Sequence, residues 1–171
     1  CSSAAAGAAY IAGVDQSLRL DHPGIAELEC ALGEDPEFAL AHAALARQLQ
    51  IHGFSTEVAG HLQQAVALKP TATQREQSAI DVIVAAATFE DGALGKAQEH
   101  IEKFPRDVLV LAHVIGPFGL LAFSGDPAWR EENVVLLKAL ESSFPADDWW
   151  YLSSRSFLAS EVGDLTGARS F

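Results

Sequence analysis

Disulfide scaffolding, nucleic-acid binding and membrane spanning are each argued against by what this 171-residue chain has little of. It holds two cysteines, Cys1 and Cys30, too few for a disulfide framework. Cys30 falls on the apolar side of a predicted helix and reads as a small buried hydrophobe. Cys1-Ser2-Ser3 would suit a processed lipoprotein terminus, but no signal segment supports that reading. Basic residues are scarce, 11 Lys and Arg against 23 Asp and Glu, and they do not cluster. Phosphate contacts need clustered cations, so nucleic acid is not an expected partner. The net charge of −12 would suit a basic partner, and it also serves simply to keep a chain in solution. No apolar run approaches the roughly 18 to 20 residues that cross a bilayer, so no membrane role is expected. Methionine is absent, and the chain reads as a processed or partial product with the cytoplasm as its expected compartment.

What is present is a period. Pro36, Pro70, Pro105 and Pro145 stand 34, 35 and 40 residues apart, each after one helix-like segment and before another. A spacing in the mid-thirties, punctuated by proline beyond a helix end, marks an array of helical hairpins. The abundant alanine favours helix and close helix approach, and 49% hydrophobic content supplies a core. No strand-like alternation competes with the helical pattern, and no low-complexity linker divides the chain.

Apolar spacing predicts a helix over 4–20 with Tyr10, Ile11, Val14, Leu18 and Leu20 inward. After Asp21-His22-Pro23, with Pro23 suited to a first helical position, a second helix carries Ile25, Leu28, Ala31 and Leu32. The next hairpin has Phe38, Ala41, Ala44, Leu45 and Leu49 on one face of helix 37–52, with Leu40 and Ile51 beside it. Gly53 closes that helix, and Ser55 or Thr56 caps helix 56–69, which turns Leu62, Ala65, Val66 and Leu68 inward. Thr71 or Thr73 caps a third-hairpin helix with Glu76 in its first turn, and its partner spans 93–104. The fourth hairpin starts at Asp107, with Pro127 opening its second helix, and a fifth begins at Asp147. The expected hairpins are thus about 4–35, 37–69, 72–104, 107–144 and a truncated 147–171, all within one all-α domain.

The second hairpin carries residues that name the pattern. Leu45-Ala46, Leu49, Gly53, Val58, Leu62, Ala65 and Pro70 fall at consensus positions of the tetratricopeptide repeat, which the chain resembles. Gly24, Leu28, Ala31 and Pro36 agree in the first hairpin, and Ala93 and Pro105 in the third, where His100 stands in place of alanine. Gly163, Leu165 and Ala168 match the turn and second-helix start of a further repeat. Segments such as Tyr10–Asp15, Asp35–Ala43, Arg75-Glu76-Gln77, Phe104–Asp107 and Asp147–Trp150 make the chain similar to bacterial relatives of the tetratricopeptide repeat protein 38 family. The stretch Gly116–Leu120 through Phe123–Gly125 belongs to the same likeness. The resemblance implies an N-terminal portion of a longer protein, a right-handed superhelical α-solenoid of antiparallel hairpins, and interaction scaffolding as its activity. No catalytic motif carries over with it.

In such an array the first helix of each hairpin lines a concave face, and function lies in the side chains projecting there. The candidates are Arg47 and Gln50, then Arg75, Ser78 and Asp81, then Ser153, Ser154 and Arg155. A guanidinium fork at Arg47 or Arg75 is matched to a carboxylate, including a peptide C-terminus. Three successive aromatics, Trp149-Trp150-Tyr151, cannot all face one core, and Trp150 is taken as a partner-binding candidate. An open apolar face at the truncated C-terminal hairpin would favour self-association. Pro117 interrupts a first helix and frees the His113 carbonyl, so a packing kink, or a small-ligand notch beside His113, is expected. The six histidines include no i, i+4 ligand pair, and neither cysteine lies in a nucleophile signature. No metal, cofactor or enzyme activity is therefore expected, and the partner is expected to be a protein or peptide.

Overall fold

Apolar residues recurring every three or four positions, set between prolines and turn glycines, fold as helices. The computed structural model describes residues 3–19 and 24–171, apart from the side chain of Ser55. Among these residues there are ten α-helices and no strand: α1 (Ala4–Leu18), α2 (Gly24–Glu34), α3 (Ala39–Ile51), α4 (Ser55–Leu68), α5 (Gln74–Ala87), α6 (Ala93–Lys103), α7 (Val108–Val114), α8 (Trp129–Ala139), α9 (Trp149–Glu161) and α10 (Leu165–Ala168). Pro36 and Pro105 follow α2 and α6 by two residues, Pro70 sits in a 3-10 turn after α4, and Pro145 follows the 3-10 turn Glu141–Ser143. The expected roles of Cys1, Leu20, Asp21, His22 and Pro23, and a cap from the Ser55 side chain, lie outside the described residues.

Backbone packing divides the chain into two units, Cys1–Lys96 and Ala97–Phe171, the division falling inside α6. In the first unit α1 packs on α2 and α3 on α4, while α2 and α5 both pack on α3. Alanine makes this crowding feasible. Every residue from Ala39 to Ala46 is buried, five of them alanines, so three neighbours close on α3 without large side chains between the backbones. Leu28, Ala44, Leu45 and Leu49 form the core cluster, with Tyr10, Val14, Ile25, Leu32 and Val58 packed against it.

Three inward assignments fail for one geometric reason. Ile11 is 68% exposed, Val66 50%, and Cys30 is exposed rather than buried. Each residue turns the helix by roughly 100°, so Cys30 points well away from buried Leu28 and Ala31, and Val66 away from buried Ala65. Ile51, at the last position of α3, is likewise exposed.

Thr73 is the cap of α5. Its hydroxyl accepts from the Glu76 N–H, and the Glu76 carboxylate accepts from the Thr73 N–H at 2.8 Å, a complete capping box. At their other ends α3, α5 and α9 finish alike. A left-handed residue, Gly53 (φ 81°), Phe89 (φ 54°) or Gly163 (φ 82°), follows the helix, and the next N–H returns to a carbonyl five residues back. Phe89 thus occupies a slot that glycine fills twice, and it is 78% exposed. A left-handed non-glycine residue costs about 1–2 kcal/mol, part of which glycine's chain entropy offsets. Phe89→Gly is expected to stabilise the protein by about 1 kcal/mol, read as a higher urea midpoint at unchanged slope. An unchanged or lower midpoint would show that the conformation is not strained.

In the second unit α7 stops after seven residues, at the interruption expected at Ile115–Gly119. The freed acceptors are taken by the returning chain: Leu120 N–H donates to the His113 carbonyl at 2.9 Å and Leu121 N–H to that of Val114 at 3.2 Å. Buried Asn133 of α8 ties the break down, accepting from Gly116 N–H at 3.1 Å and donating to the Trp129 carbonyl at 2.7 Å. Helix α8 starts at Trp129, not at Pro127, because Asp126 Oδ1 takes the Ala128 N–H and holds that residue in a turn. His100, where the repeat pattern has alanine, is fully buried and lies 3.2 Å from Asp107 Oδ2, joining the last turn of α6 to the start of α7.

Candidate functional site

The polar residues expected to project from first helices fall into three groups. The first is on α3. Arg47 and Gln50 are separated by three positions and so share a face, and Arg47 Nη1 donates to Gln50 Oε1 at 2.9 Å. Gln50 in turn donates through Nε2 to the carbonyl of Ala87, the last residue of α5, also at 2.9 Å. Both side chains are half-buried. Burial lowers the pKa of the Arg47 guanidinium. Its only hydrogen-bond partner among the described residues is the neutral amide of Gln50. Among the described residues this cation is thus held partly out of water with no salt-bridge partner, by an amide that is itself anchored to a backbone acceptor.

The second group is on α5. Ser78 is half-buried and Arg75 exposed. Arg75 stands in the first turn beside the capping box. Burial raises the pKa of Glu76, but hydrogen bonds from Thr73 and the charge of Arg75 outweigh it and hold the carboxyl below its ordinary range. Twelve positions separate Arg75 from Ala87, about 18 Å along a helix, so the two arginines do not form one fork. Asp81 is engaged elsewhere, accepting from Lys69 Nζ at 2.6 Å.

The third group is on α9. Trp150 is buried at 6% exposure against Phe144, and Tyr151 is buried with its hydroxyl donating to the Leu137 carbonyl at 2.9 Å. The surface aromatic of this trio is Trp149, so the choice of Trp150 is corrected. The Asp148 carboxylate caps the helix by accepting from Tyr151 N–H at 2.9 Å, at the start of α9 where Trp149 turns outward. Ser153 is exposed and Ser154 half-buried. Arg155 pairs with Glu141 at 2.7 Å and lies 4.3 Å over the Phe171 ring. Its guanidinium is already occupied on two sides.

Around the expected notch, His113 is buried with Nδ1 2.6 Å from the Leu109 carbonyl, and Pro117 is exposed in the turn. The carbonyl that a ligand would have used accepts from Leu120. Two hollows in the first unit, about 110 Å³ lined by residues including Glu37, Thr71 and Glu76, and about 360 Å³ lined by Leu62, Gln63, Val66, Ala67 and Val84, include neither Arg47 nor Gln50.

Sequence spacing is enough to bring Arg47 to Gln50. The link from Gln50 to Ala87 and the clamp made by Asn133 carry no sequence signal, because both depend on backbone groups delivered by a different helix. Among the described residues no helix is long and apolar enough to cross a membrane. Comparison with family models, curated proteins and solved structures finds no match for this chain.

Proposed function

We propose that this chain is a helical-repeat scaffold of the tetratricopeptide type, a solenoid whose first helices present a protein- or peptide-binding face. Two features support that reading. First helix α3 packs directly against first helix α5, and second helix α2 against α3, as stacked hairpins require. The prolines that end successive helices keep the repeat spacing.

The observation that carries the binding role is Arg47. A half-buried guanidinium with no salt-bridge partner among the described residues, preorganised by Gln50, loses less entropy on meeting a carboxylate than a free surface side chain does. The partner is a peptide in extended conformation that places a carboxylate at Arg47. Arg75 stands on α5 about 18 Å along the helix from Ala87, to which Gln50 donates, so a second acidic group further along the same segment would meet Arg75.

A peptide library with free C-terminal carboxylates, read beside its amidated counterpart by fluorescence anisotropy, tests this. Arg47→Ala is expected to weaken the selected peptides 10- to 100-fold, about 1.5–3 kcal/mol, as for a lost charge-assisted hydrogen bond. Binding that is indifferent both to amidation and to Arg47→Ala would remove the carboxylate reading.

A further inference from the structure

His42 of α3 and His61 of α4 face each other inside the second hairpin, Nδ1 to Nδ1 at 2.9 Å with ring centroids 5.2 Å apart. His42 is buried and His61 half-buried. The other nitrogen of His42, Nε2, lies 3.0 Å from the carbonyl oxygen of Pro36. A carbonyl only accepts, so Nε2 carries the hydrogen, and Nδ1 of neutral His42 is a bare acceptor. The bond between the rings is therefore donated by His61 Nδ1–H, which leaves His61 Nε2 bare in the neutral pair.

This assignment fixes how the pair takes up protons. A first proton can go to His61 Nε2 and leave the bridge intact. A second has to go to His42 Nδ1. Two N–H groups would then point at one another at hydrogen-bond distance, each on a cation, and the bridge cannot persist. No third His, Cys, Asp or Glu among the described residues gathers with the pair closely enough to hold a metal ion.

The charges acting on His61 are few. Burial and His42 lower its pKa, Glu57 of α4 and Glu29 of α2 raise it, and the lowering prevails. Helices α1 and α5, which also pack on α3, add no charge to that set.

We propose that the His42–His61 bridge is a proton-operated latch between α3 and α4, closed with no proton or one proton added to the pair and open with two. Helix α3 also carries Arg47 and Gln50, so opening would disturb the binding face; that consequence rests on the function proposed above, whereas the latch does not. Opening takes up protons, so acid favours the open form, and the depressed folded-state pKa of His61 acts on stability in the same direction. Its contribution to stability is complete above the ordinary histidine value of 6.5 and is lost as pH falls below it toward the folded value.

Two measurements on the full chain test the latch. Denaturation between pH 7.5 and 5.5 is compared for the wild type and His61→Gln, whose amide can still donate to His42 but cannot titrate. The wild-type folding constant is expected to fall more steeply, by up to about tenfold per pH unit for each proton involved, and equal slopes would overturn the proposal. If the variant does not fold, imidazole nitrogen spectra of the wild type decide. The expected result is His42 as the Nε2–H tautomer at neutral pH, its Nδ1 accepting from the Nδ1–H of His61. An Nδ1–H tautomer of His42 at neutral pH would overturn it.

Discussion

Leu45→Ala is expected to remove about 3 kcal/mol of stability, within the 2–5 kcal/mol that truncation of a fully buried leucine costs. Leu45 is 1% exposed in the middle of α3, and its cluster draws on four helices: Tyr10 and Val14 from α1, Leu28 from α2, Ala44 and Leu49 from α3 itself, Val58 from α4. Alanine-rich α3 has few large side chains able to move into the space, so the cavity would persist and add its own term. Far-UV circular dichroism in urea is the measurement. Tryptophan fluorescence is not suited to it, since Trp129, Trp149 and Trp150 all lie in the second unit. Val66→Ala is the control. Apolar patterning alone would rank Val66 with Leu45, but it is 50% exposed and its truncation should stay within about 0.5 kcal/mol. Similar losses for the two would mean that the packing around α3 is wrongly described.

That contrast locates what could be read from sequence. The helices and their order follow from apolar periodicity and from the prolines, because both act within a few residues of chain. Thr73 with Glu76 is a local signature and gives a local structure. The break at Pro117 is equally local, since a missing N–H and a ring clash need no tertiary partner. What the sequence leaves open is which part of each helix is covered. Cys30 and Val66 sit at the margin of an apolar stripe, where a rotation of 100° decides exposure, and the neighbouring helix sets that rotation. Trp149 and Trp150 differ by one position and end on opposite sides of the same question. The candidate site divides the same way. Arg47 and Gln50 meet because they are three residues apart, whereas the Ala87 carbonyl arrives 37 residues later through helix packing. The pairing of His42 with His61 belongs to the second kind. Each is an ordinary helical histidine until the hairpin closes.

The second large effect is expected at Gly119. Its φ is not left-handed, so glycine is needed there for space rather than for conformation. A Cβ at this position would meet the carbonyl oxygens of Val114 and Ile115, which are backbone atoms and not the movable end of a side chain. Neither this segment nor its surroundings can yield easily: Gly119 N–H donates to Gly116 at 3.1 Å, Leu121 N–H to Val114 at 3.2 Å, and Asn133 holds Gly116 from α8. Gly119→Ala must therefore break the returning turn after α7, and a loss of roughly 3 kcal/mol is expected, the upper range for overpacking. Tryptophan fluorescence is the right probe here, because Trp129 supplies the carbonyl to which Asn133 donates. Gly95→Ala in α6 separates this from a general penalty. Nothing stands within 4 Å of its would-be Cβ, and a helical glycine replaced by alanine should gain about 0.5–1 kcal/mol. Opposite signs at the two glycines would tie the loss to the crowded turn after α7 rather than to any Gly→Ala change. A tolerated Gly119→Ala would instead mean that the turn relaxes freely, and the carbonyls of His113 and Val114 would again be acceptors open to a ligand.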